Sequence, residues 1–295
     1  MISILICSAN PGDLLLVRKN IESTIGAIPY EIIAFDNSEG KKGISEVYNV
    51  GIKQARYELI CFMHEDVSIK TKHWGNTIIR IFSGDPEIGI VGVAGGGYKS
   101  LAPSGWYCPE FENPAQSYQN ILQGYKLDSK EEVHAYHNPY NEPLSDVVCV
   151  DGVWFCTRKS IALKNLFDEK LLKGFHGYDL DFCLNVFGKH RIVVSYDILM
   201  KHASEGNFNN AWLNEILKLH QKWNKYLPLT TSDVSEKEIY LTEKRAIKKL
   251  IEQMLGWNYP FAAIQKMLLN CTSSKRMPFR LFFKGYLHLV KQTWK

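Results

Sequence analysis

The chain has 295 residues, 45% hydrophobic and 22% charged, and its 35 Lys and Arg against 31 Asp and Glu leave a formal net charge of +4. That length can bury the core of one large domain, with or without an appendage, and so small and dispersed a charge gives no basis for a nucleic-acid-binding protein. The seven cysteines, an odd number with no CxxC pair, point to buried thiols in a reducing compartment and not to a disulfide framework. No stretch reaches the length of a membrane span. The apolar start reads as a first strand and not as a signal peptide, so a soluble cytoplasmic protein is expected.

In chain order, residues 3–8 form a short buried strand broken by Asn10-Pro11-Gly12, and 14–24 a helix with Leu14, Val17 and Ile21 on one side. A second strand, 30–35, stops at Asp36-Asn37-Ser38. Residues 44–55 are helical, with Val47, Ile52 and Ala55 aligned. The apolar run 59–63 is a third strand that ends abruptly in His64-Glu65-Asp66. A helix over 74–82 precedes a fourth strand, 88–94, which runs into Gly95-Gly96-Gly97. Strands alternating with helices of this length imply βαβ units and a mostly parallel sheet.

From 98 to 146 the pattern dissolves, with prolines at 103, 109, 114, 139 and 143. A long irregular insertion in a compact domain reads as a lid or binding loop. Strands at 147–150 and 153–156 flank Asp151-Gly152. A helix over 179–187, a late strand at 191–195 and a helix over 211–226 follow. Residues 228–233 read as a linker, dividing the chain into a domain over 1–227 and a helical extension over 228–295. At its end, Phe279, Phe282, Phe283, Tyr286, Leu287, Val290 and Trp294 form one helical stripe. Arg280, Lys284, His288, Lys291 and Lys295 form another, and no acidic residue occurs from Lys275 onward.

Three clusters can carry chemistry. His64-Glu65-Asp66 closes a strand at the sheet edge where open α/β sheets bind ligands, and a carboxylate there suits a hard divalent cation. The plainer reading is a cap, with Asp66 and Ser68 opening the next element. Asp179 and Asp181 lie in a first helical turn, favoured there by the macrodipole alone. The permissive Gly174 and Gly177 and the crowded Phe175, His176 and Tyr178 leave a general base as the other reading, if the carboxylate faces a pocket. His202, after a late strand, is a metal ligand or a satisfied structural histidine, and Asp36 also reads as the first residue of an Asx turn. Gly92–Gly97 lacks the GxGxxG spacing of a dinucleotide site.

Taken in order, Asp36-Asn37-Ser38, then Tyr48-Asn49-Val50-Gly51, then the strand ending in His64-Glu65-Asp66, then Phe167-Asp168-Glu169, then Tyr178-Asp179-Leu180-Asp181, resemble the GT-A glycosyltransferases of the family 2 type. The resemblance covers about Met1 to His202. Three positions depart from the usual pattern: His64 stands for the first Asp of the DxD motif, Tyr178 for a Glu, and Asn185 for an Arg.

The resemblance implies a GT-A α/β fold with a mostly parallel central sheet and a helical C-terminal appendage. It implies an inverting, metal-dependent transferase that moves a sugar from a nucleotide-diphospho-sugar to an acceptor hydroxyl, with Mn²⁺ or Mg²⁺ as cofactor. Asp179 would be the base, and Asp66 with His202 would bind the metal. Asp36, Asn37, Asn49, His64, Glu65 and Asp66 would form the donor side, with Trp106, Tyr107, Asp151, Tyr178 and Asp181 toward the acceptor or lid. The expected acceptor is a glycan or lipid-linked sugar, in cell-surface polysaccharide synthesis, and no nucleic acid is expected.

Two competitors remain. One is a copy of the fold that binds sugar nucleotides without turnover. The other, a nucleotidyltransferase, needs a cationic loop after the first strand, where this chain has Ser8-Ala-Asn-Pro-Gly-Asp13. The basic, aromatic segment 275–295 fits a peripheral contact with the inner face of a membrane. The plainer alternative packs its Phe stripe on the main domain and leaves its lysines in water.

Overall fold

The computed structural model describes residues 1–125, 130–204, 206 and 208–294; Lys295 and residues 126–129 of the expected lid lie outside these. The first strand, β1 (Ile2–Ser8), is followed by α1 (Pro11–Thr24). Asn10 starts that helix: its side-chain oxygen accepts from the amides of Gly12 (2.9 Å) and Asp13 (3.4 Å), and Pro11 takes the first helical turn, where its missing N–H costs nothing. The Asn-Pro-Gly sequence that reads as a break is therefore the cap.

Then come β2 (Tyr30–Asp36), α2 (Ile44–Gln54), β3 (Leu59–Met63), β4 (Val67–Ile69), α3 (Trp74–Gly84), β5 (Ile88–Gly92), β6 (Ala94–Gly96) and β7 (Tyr98–Lys99). The segment expected to be irregular supplies β8 (Tyr118–Gln123), β9 (Val133–His137) and β10 (Leu144–Asp146). Next are β11 (Cys149–Val150), β12 (Trp154–Arg158), α4 (Lys159–Lys164), α5 (Tyr178–Val186), β13 (Arg191–Ser195), β14 (Met200–His202) and α6 (Asn210–Trp223). The chain ends with β15 (Leu229–Thr230), α7 (Glu236–Gly256), α8 (Phe261–Cys271) and α9 (Phe279–Thr293).

A large sheet has the order β10-β13-β5-β12-β3-β1-β2. β12 runs antiparallel to both its neighbours and β10 antiparallel to β13, while the other pairs are parallel. β3 is central and buried on both faces: Ile60 and Phe62 enter one apolar cluster, and Leu59, Cys61 and Met63 the other. Alternating side chains of a strand point to opposite faces, so a strand covered on both sides reads as one continuous apolar run.

A second sheet has the order β11-β6-β8-β14-β4, with β9 added on β8. The chain passes repeatedly from the large sheet to the small one. It does so between β3 and β4 at His64–Asp66, between β5 and β6 at Val93, and between β13 and β14. It returns between β11 and β12 at Asp151–Val153. Because β12 is antiparallel to β3, its first residue Trp154 sits opposite Met63, and the His64 amide donates to the Val153 carbonyl at 3.0 Å. The turns bearing His64–Asp66 and Asp151 are thereby brought side by side.

The segment read as a linker pairs with the main domain, Leu229 opposite Lys99 and Thr230 opposite Tyr98. Ile247, Leu250, Leu268 and Leu281 of the last three helices share one apolar cluster with Phe155 and Phe182. A buried carboxylate fixes the contact. Glu243 accepts from the hydroxyls of Tyr98 (2.7 Å) and Ser100 (2.9 Å) and from the amides of Leu101 (3.2 Å) and Ala102 (3.3 Å). Burial pushes its carboxyl pKa up, and these four donors oppose the shift.

Candidate active site

A cleft of about 660 Å³ opens where the two sheets meet, lined among others by His64, Glu65, Asp66, Trp106, Tyr107, Asp151, Gly152, Tyr178, Asp179 and His202. Asp66 and His202 come from facing chain segments, since β14 pairs antiparallel with β4 and places His202 opposite Val67. His202 Nε2 lies 3.6 Å from Asp66 Oδ1, and Ser204 Oγ donates to Asp66 Oδ2 at 2.6 Å. With His64 they offer three ligating atoms within 4.8 Å of one another. Burial and then the neighbouring His202 push the His64 pKa down to about 4. The imidazole is therefore neutral near pH 7, the state in which histidine binds metal.

Hydrogen-bond roles set the His64 tautomer. The Tyr178 hydroxyl donates its single proton to the Gly152 carbonyl at 2.9 Å and lies 2.9 Å from His64 Nε2. A carbonyl only accepts, so Nε2 carries the proton toward Tyr178 and Nδ1 keeps its lone pair. Gly152 also serves the other side of the cleft, its amide donating to Asp179 Oδ2 at 2.9 Å. Only glycine fits there, because a Cβ would collide with the Tyr178 hydroxyl. Tyr178 and Asp179 open α5, entered through Gly177 at φ 79°, a left-handed conformation that costs glycine little.

Asp179 is partly buried, and burial, followed by the nearby Asp151 carboxylate, raises its pKa to about 7. A carboxylate tuned to the working pH is what proton abstraction needs. Asp151 is oriented by the Val153 amide, which donates to its Oδ1 at 2.8 Å. Trp106 and Tyr107 form one wall, their rings 4.6 Å apart. Buried Lys99 holds that loop by donating to the Ser104 carbonyl (2.6 Å) and hydroxyl (3.1 Å) and to the Gly105 carbonyl (2.9 Å). The triple glycine has a steric explanation here, since a Cβ on Gly96 would strike the Trp106 carbonyl.

Residues 15–227 match the model of the family described as "Glycosyltransferase like family". The chain belongs to that family. Its enzyme class is accordingly glycosyltransferase. Among solved structures it is similar to S. aureus TarS, residues 1–349, in complex with UDP-GlcNAc. That match has 11% identity and a TM-score of 0.54, and it covers 98% of this chain and 88% of that one. It is also similar to GalNAc-T7 with UDP, GalNAc and Mn²⁺, at 9% identity and a TM-score of 0.51, over 99% of this chain and 57% of that one. At such identities the likeness is one of fold, GT-A, as the resemblance implies. No curated protein matches the sequence.

Several residues assigned to this transferase's site have other work. Asn49 faces away from the cleft. Its amide donates to the Phe167 carbonyl (2.9 Å) and Glu169 Oε2 (2.8 Å) and accepts from the Phe167 amide (2.9 Å), tying α2 to the segment before α5. Asp181 is fully buried, accepting from Trp223 Nε1 (2.7 Å) and Lys222 Nζ (2.9 Å), so it clamps α5 to α6 and meets no acceptor. Glu65 lines the cleft, but its carboxylate accepts from the Ser8 hydroxyl at 2.5 Å and from the amides of Ala9 (3.0 Å) and Asn10 (3.1 Å). Asn37 lines the cleft while its side chain brackets Lys42, donating to the carbonyl (2.8 Å) and accepting from the amide (3.1 Å). Asp36 stands exposed at the end of β2. The Ser38 amide donates to it at 2.9 Å and holds its carboxyl below the usual range. No motif in the sequence marks Gln123, Ser204, Phe208 and Trp212, which line the same cleft from β8, from the stretch after β14 and from α6.

Proposed function

We propose that the chain transfers a sugar from a nucleotide-diphospho-sugar to an acceptor hydroxyl, with inversion, using a divalent cation. The supporting observation is that one cleft joins a carboxylate tuned to about 7, Asp179, with the His64, Asp66 and His202 donor set. Two imidazoles and one carboxylate suit Mn²⁺ better than Mg²⁺, which prefers oxygen. When bound, the cation would offset charge on the leaving diphosphate. Asp179 takes the acceptor proton as that oxygen bonds to the anomeric carbon and the bond to the diphosphate oxygen breaks. One displacement at that carbon inverts it. Asp36 and Asn37, beyond β1, are the candidates to meet the nucleotide base, and Trp106 and Tyr107 to stack on sugar.

The all-free cysteines among the described residues fit the cytoplasm, where nucleotide sugars are consumed in building cell-surface glycans. No helix among the described residues is long and apolar enough to cross a membrane. The testing experiment is a thermal-shift screen of nucleoside diphosphates with Mn²⁺ and Mg²⁺, followed by transfer assays from the donors that bind. A metal-dependent rise in melting temperature is expected. No shift with any nucleotide would reject the donor site, and metal-dependent binding without transfer would favour a copy that binds and does not turn over.

Tyr178→Phe isolates the support of His64. It removes the hydroxyl that fixes the tautomer and should weaken Mn²⁺ affinity by about 10–100-fold, measured by calorimetry. Unchanged affinity would mean His64 is not a ligand.

A further inference from the structure

The last helix presents a face that the transferase reading does not use. α9 packs on α7 and α8 through Leu281, Gly285 and Leu289, all buried. A Cβ on Gly285 would meet Ile247 and Leu268 side chains at 3.2 Å, so the glycine allows the helix to lie close. The aromatic stripe is therefore largely turned out, and not packed inward as the plainer alternative would have it. Phe279 is 79% exposed, Phe283 49%, Leu287 51% and Trp294 84%. At about 100° per residue these four fall within an arc of roughly 80°. Phe279 and Phe283 stack on each other, with ring centroids 6.1 Å apart. Arg280, Lys284 and Lys291 border the arc on one side, and the sequence holds no Asp or Glu from Lys275 onward.

We propose that this face of α9 docks on an anionic lipid surface. The helix lies in the interface plane, with Phe279, Phe283, Leu287 and Trp294 at the acyl boundary and Arg280, Lys284 and Lys291 among the headgroups. Aromatic side chains favour that depth. Charge selects this occupant over a second copy of the chain, since α9 carries no Asp or Glu with which a copy of the same face could answer its cations. The inference goes beyond the transferase reading and is read without donor or acceptor, so loss of that reading leaves it standing.

The test is sedimentation of the full chain with vesicles of phosphatidylcholine, with and without phosphatidylglycerol, with light scattering in parallel. Binding is expected to the anionic vesicles and to weaken as salt is raised. Arg280→Glu, Lys284→Glu and Lys291→Glu together should lower partitioning by about 100-fold or more. Phe279→Ser with Phe283→Ser, at exposed positions, should lose binding while keeping the wild-type melting temperature. Absence of binding to either vesicle would overturn the proposal, as would equal binding to both. So would a dimer in solution that the two serine substitutions dissociate, which would assign the face to a second copy.

Discussion

Asp179→Asn is expected to lower sugar transfer by about 10²–10⁴-fold, with metal-dependent nucleotide binding nearly intact. Asparagine keeps an oxygen to accept from the Gly152 amide and loses the ability to take the acceptor proton. In the wild type, burial and then Asp151 raise the Asp179 pKa from 3.8 to about 7, so this carboxylate is mostly free of its proton only above that pH. Transfer should therefore rise with pH to a plateau above about 7, and the residual rate of the variant should lack that limb. The same shift makes a stability statement. A carboxyl whose folded pKa exceeds its unfolded value holds its proton more tightly in the fold, so its contribution is lost as pH rises from about 4 to about 7. The variant should thus melt higher than wild type at pH 8, with a smaller difference at pH 4. Full transfer by the variant would remove Asp179 from the mechanism.

Asp66→Ala should abolish the part of nucleotide affinity that depends on Mn²⁺ and leave metal-free binding unchanged. Asp66 is the carboxylate of the His64, Asp66 and His202 set, and it supplies the negative charge that an imidazole ligand does not. Loss of a ligand should exceed the roughly 10–100-fold that loss of a supporting residue costs. Calorimetry with and without a chelator measures it. A variant that still binds nucleotide in a Mn²⁺-dependent way would place the cation elsewhere.

The strand ending in His64-Glu65-Asp66 was legible because burial on both faces leaves a continuous apolar run, and the turn after it shows as an abrupt change of chemistry. The second sheet was not. Tyr118–Gln123 sets Gln119 beside Asn120 and Ile121 beside Leu122, without a strand's alternation, and Val133–His137 has no buried residue, and they become strands only by pairing with each other and with β6 and β14. Sequence order locates a residue but not its orientation. Asp179 and Asp181 are two apart on a helix and so point about 160° away from each other. One reaches the cleft and the other the Lys222 and Trp223 clamp. Likewise, the apolar stripe of α9 gave no sign that Leu281, Gly285 and Leu289 would be the packed face. Close approach at Gly285 decided it, and a glycine adds nothing to a count of apolar side chains.

The turns that carry the site are also the crossings between the two sheets, with His64 to Asp66 on one, Asp151 and Gly152 on another and His202 just beyond a third. The site therefore belongs to the joint and not to either sheet. A fluctuation that lifts β8, β9 and β14 away while the large sheet stays folded would part His202 from Asp66, because that pair is held by the β14–β4 ladder. Such an opening costs less than global unfolding. Sugar nucleotide held across the joint would oppose it, so substrate would act on this protein as a clasp.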